Sequence, residues 1–194
     1  MLPKRLSVKI FAADDSAVKP AAIMPIFQRW IQENALEGLL IDVVDYKHVH
    51  HGPGIILIGH EGDYGLDFSE GRAGLLFTLK QNPYESLSEA VRESLRLAVV
   101  ATEKLSAETG IKFDYSEAQI TLLDRLQTPN TDETYSTVEL PLSAFASRIF
   151  DGDVAITRVN VEPRDPFAVT LQVDQTPSAD TLLEKLSLSP TSVS

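Results

Sequence analysis

Cysteine is absent from this 194-residue chain, and with it go disulfides, thiolate nucleophiles and every zinc site built on sulfur. Positive charge is scarce as well: 17 Lys and Arg stand against 28 Asp and Glu, a formal net charge of −11. Such a chain repels a phosphate backbone and an anionic membrane surface alike, and no basic stripe interleaved with aromatics reverses this locally. No apolar run approaches the roughly 20 residues that a spanning helix needs. Neither nucleic acid nor a membrane is expected as a partner. Residues 1–13 carry Lys4 and Arg5 ahead of a short apolar stretch, but Lys9 interrupts it, and alternation at Leu6, Val8 and Ile10 reads as a strand. A cytoplasmic protein is expected.

What is present is enough for a folded body, since 43% of the residues are hydrophobic and 23% charged. After the strand over 6–12, Ile26, Phe27, Trp30 and Ile31 recur at helical spacing behind Pro25, and Gly38 closes that helix. Strands follow over 39–46, 55–58 and 74–79, the second aliphatic on both faces as in a sheet interior. Ser86 and Glu89 form a capping box at the head of a helix over 86–109, and Gly110 ends it. A strand over 118–123, a polar surface loop over 127–133, a helix over 142–150 and strands over 154–161 and 167–173 complete the pattern.

The fold class this predicts is α+β: an antiparallel or mixed sheet with helices on one face, read as two fused βαββ units. Residues 1–177 form the globular part, with halves 1–83 and 111–177 bridged by the helix 86–109. Phe27-Gln-Arg-Trp-Ile31 in the first half has a counterpart in Phe145-Ala-Ser-Arg-Ile149 of the second. Residues 178–194 read as a largely disordered tail whose removal leaves the fold intact.

Chemistry concentrates in one place. All four histidines, His48, His50, His51 and His60, fall within thirteen residues, and seven of the ten glycines lie between Gly52 and Gly74. Imidazole is the commonest metal ligand and titrates nearest neutrality, while glycine permits close approach of backbone to a ligand. On an extended strand His48 and His50 share a face. If residues 46–53 fold back over the sheet, His60 and Glu61 join them in an imidazole and carboxylate set that suits Zn, Mn, Fe or Ni. In the catalytic reading Glu61, Asp63 and His60 are the acid and base groups, working on a small polar substrate by divalent-metal-assisted hydrolysis or lyase chemistry. No nucleophile elbow and no nucleotide-binding glycine motif is present. The competing reading is a non-catalytic protein-binding or assembly module, homo-oligomeric or bound to another protein, with a histidine-rich surface turn.

Overall fold

In the computed structural model, which describes residues 2–15, 18–46 and 54–188, the chain builds one eight-stranded antiparallel sheet with four helices layered on one face. The predicted α+β class is therefore correct. Its centre is β1 (Leu6–Ala12), whose alternating Leu6, Val8 and Ile10 are wholly buried toward the helices. On its flanks lie β5 (Gly74–Leu79) and β6 (Phe113–Leu122), both antiparallel to it. Beyond β5 come β4 (Gly62–Asp67), β3 (Ile55–Gly59) and the edge strand β2 (Leu40–Asp45); beyond β6 come β8 (Phe167–Val173) and the other edge, β7 (Val154–Arg158).

Read outward from the β1–β6 pair, each half of the chain has the same arrangement. Its first strand is central, its last strand lies beside that, and the strand before the last comes next. A helix follows the first strand in each half: α1 (Pro20–Glu33) after β1, and α3 (Asp132–Ile149) after β6. The first half carries one hairpin more, β2–β3, which widens the sheet on that side. Between the halves runs α2 (Leu87–Thr109), started by Ser86, whose Oγ accepts from Glu89 N, and stopped by Gly110 at φ +77°. Among the described residues no helix is long and apolar enough to cross a membrane.

Six readings of the sequence are corrected. Helix α1 ends at Glu33 with Asn34, at φ +48°, as its left-handed cap, short of Gly38. The glycine-dense stretch after Gly59 is not all loop, because residues 62–67 form β4, with Tyr64 and Leu66 toward the core and Asp63, Gly65 and Asp67 on the other face. Helix α3 starts ten residues before 142, capped by Thr131, and runs through Pro141. Strand β6 starts at Phe113, and β7 already ends at Arg158. Residues 179–187, read as part of the tail, form α4 (Ala179–Ser187), with Leu182 and Leu186 buried against α2 and α3.

Candidate functional site

Helix α1 lies over β2 and β3, and α2 lies over β1 and β5, so β4 runs beneath the gap between the two helices. At one end of the sheet this gap is a cleft of about 610 Å³. Its apolar lining comes from Leu40 on β2, Phe77 and Leu79 on β5 and Leu97 on α2. Gly62 is required at its base: a Cβ there would stand 2.5 Å from the Phe77 ring. Tyr64, the next core-facing residue of β4, packs on Phe77 with ring centroids 5.0 Å apart and is only 2% exposed.

His60 and Glu61, both predicted as site residues, form the two-residue turn between β3 and β4 and line the mouth of the cleft. Their backbone is held from two sides, by His60 N donating to Leu39 O (2.8 Å) and by Lys80 N donating to Glu61 O (3.0 Å). The Glu61 carboxylate lies over Gly38, where a Cβ would meet its Oε2 at 2.7 Å, a contact that the exposed Glu61 side chain can relieve; it is the backbone, with φ +84°, that calls for glycine. No ion pair engages Glu61 among the described residues. Asp63, the third predicted catalytic residue, points to the other face of the sheet and is occupied. Its Oδ1 accepts from Lys80 Nζ (2.7 Å) and Gly59 N (3.2 Å), which fixes the turn and leaves Asp63 outside the cleft lining.

The opposite wall was not legible in the sequence. Arg96 on α2 donates through Nη1 and Nη2 to both carboxylate oxygens of Glu37 (2.7 and 2.6 Å). The same guanidinium reaches Glu93 through Nη2 (2.6 Å) and Nε (3.1 Å). These bonds hold the Glu37 carboxyl below the usual carboxylate range and raise the Arg96 guanidinium further above its already high value. Tyr84, half-buried on the segment leading into α2, completes this side. The Tyr64 hydroxyl makes no hydrogen bond among the described residues, and its pKa is pushed well up, first by burial and then by the charges of Glu37, Glu93 and Glu61. It is a neutral phenol near pH 7.

The predicted metal ligands divide. His60 and Glu61 share the cleft mouth, whereas His48 and His50, with His51, lie outside the described residues. The strands that flank them are anchored: Tyr46 N donates to Gly54 O (2.7 Å), and Asp45 pairs with Ile55, at the end of β3 opposite His60. Five strand residues separate Ile55 from His60, about 16 Å of extended chain. Among the described residues no three His, Asp or Glu side chains stand close enough together to hold a metal ion. Asp15, three residues beyond β1, accepts from Ala73 N (2.8 Å) and ties β1 to the start of β5. The chain matches no protein-family model and no curated protein.

Proposed function

We propose that the chain binds a small organic molecule in the cleft beside His60 and Glu61, and that these two side chains act on it as acid and base. One observation carries this reading: the Tyr64 hydroxyl and the Glu61 carboxylate border the same apolar cleft, and neither has a polar partner among the described residues. A few convergent polar groups over an apolar lining is the usual composition of a small-molecule site. Imidazole has the pKa suited to proton transfer near neutrality, so hydrolysis or elimination on a small polar substrate is the chemistry such a pair serves. A divalent cation shared by His48, His50, His60 and Glu61 is the less favoured form of the same chemistry, because Asp45 and Ile55 pair at the end of β3 away from His60.

A second reading, a protein-binding or self-assembling module, has its own support. Leu39 and Ile41 are 61% and 53% exposed at the edge strand β2, an unusual display of aliphatic surface on an unpaired edge.

The test of the cleft is a fragment screen followed by amide NMR. Hits are expected to shift Gly59, Gly62, Lys80 and Tyr84 together, and Leu97→Trp, which fills the cleft, is expected to abolish those shifts while the fold is kept. Hits that leave these amides unmoved, or that bind Leu97→Trp unchanged, would remove the reading. If instead the protein is dimeric in solution and Ile41→Lys makes it monomeric, the edge strand is the functional surface.

A further inference from the structure

The geometry points to an organic cation, an ammonium group on an apolar body, as the occupant of this cleft. The inference rests on the cleft being a small-molecule site and adds the charge of what enters it. Two cations beside the cleft, Arg96 and Lys80, are already engaged. Arg96 uses Nε, Nη1 and Nη2 on Glu37 and Glu93, and Lys80 Nζ is held by Asp63 Oδ1 at 2.7 Å and Gly59 O at 2.8 Å. A carboxylate or phosphate entering here would compete with those carboxylates for the same two cations.

The balance of charge runs the other way. Three carboxylates line the cleft, those of Glu37, Glu61 and Glu93; Arg96 holds the first and last, and Glu61 lacks an ion-pair partner among the described residues. Opposite sign at short range in a partly desolvated cleft favours a cation, and the chain's net charge of −11 adds long-range attraction of the same sign.

Acidic groups alone would not define a site; the second feature is Tyr64. At 2% exposure, its ring and free hydroxyl border the cleft, and the hydroxyl oxygen is a neutral acceptor for an ammonium N–H. The aromatic residues Tyr64, Phe77 and Tyr84 line the same cleft, and Leu40, Leu79 and Leu97 offer contact to an apolar body.

Three probes of one shape decide it: 3-phenylpropylammonium, 3-phenylpropionate and 3-phenyl-1-propanol, titrated into the wild-type protein and into Glu61→Gln with amide NMR as the readout. Expected are shifts at Gly59, Gly62 and Lys80 and roughly tenfold tighter binding of the ammonium than of the carboxylate. Glu61→Gln is expected to remove most of that preference and to leave the alcohol's affinity unchanged, which separates loss of charge from loss of fold. The inference falls if the carboxylate binds as well as the ammonium, or if Glu61→Gln leaves the preference intact while the alcohol still binds; the cleft then stands as a site without this specificity. If none of the three shifts the cleft amides, the cleft reading falls together with the inference.

Discussion

Lys9 points out of β1 on the sheet face that carries no helix, and yet it is only 3% exposed. Its ammonium has three donors and finds three acceptors: Asp67 Oδ2 at 2.6 Å, Arg72 O at 2.8 Å and Ser69 O at 3.3 Å. The last two belong to the 3₁₀ turn Ser69–Gly71 and its exit, so this single side chain clamps the β4–β5 connection over the central strand. A lysine satisfied in this way is structural and is not a reserve of reactivity. Lys9→Met would leave the Asp67 carboxylate, itself 4% exposed, holding only the Ser69 amide and hydroxyl. Removing one partner of such a buried pair typically costs about 3–5 kcal/mol, and replacing both by apolar groups costs far less. Urea unfolding of Lys9→Met and of Lys9→Met with Asp67→Leu should therefore show the double variant to be the more stable. Additive losses would mean that the two groups do not act as a pair.

Helices and strands differ in how openly the sequence declares them, and the reasons are local. The capping box at Ser86 and Glu89 and the stop at Gly110 mark α2 to the residue, because capping chemistry is short-range. Strand β4 is obscured by Gly62 and Gly65, poor strand formers that are needed here for packing, although the alternation of Tyr64 and Leu66 with Asp63 and Asp67 was present to be seen. Helix α3 is obscured by Pro141, which reads as a first-turn residue; the cap at Thr131 with Asp132 and Glu133 behind it is the better signal. For the site, His60, Glu61 and Tyr64 stand in one legible run. Glu37, Tyr84, Glu93 and Arg96 come from other segments and meet them only through the sheet order. Helix α4 is obscured because its tail-like composition outweighs the spacing of Leu182 and Leu186, which are 1% and 0% exposed. Arg92 Nη1 on α2 also donates to Leu186 O at 3.0 Å. Leu182→Ala is expected to destabilise by about 2–5 kcal/mol in urea unfolding. A loss under 1 kcal/mol would show that α4 is not docked in solution.

For the molecule as a whole, charge is the term that conditions can change most. At pH 7 the net charge is −11, and the exposed ion pairs do little to offset the self-repulsion, since in pairs such as Arg158–Asp132 the carboxylate is fully open to solvent. Lowering the pH toward the isoelectric point near 4.7 removes that repulsion, so stability should rise between pH 7 and 5. Below that, the sign reverses. The Glu37 carboxyl is held below its ordinary value of 4.5 by its bond to Arg96, so the folded state resists its protonation more than the unfolded state does. The stability this group contributes is complete above 4.5 and is lost as the pH falls through its lowered folded value. A maximum in melting temperature near pH 5 follows. Salt separates the two effects: at 0.5 M ionic strength the Debye length shrinks to roughly 4 Å, which screens dispersed surface repulsion and leaves the Glu37–Arg96 contact largely in place. Melting curves from pH 3 to 8 in low and high salt should therefore show the rise from pH 7 to 5 flatten in high salt while the acid limb remains. If the low-salt melting temperature at pH 5 is no higher than at pH 7, the net negative charge is not what limits the stability of this fold.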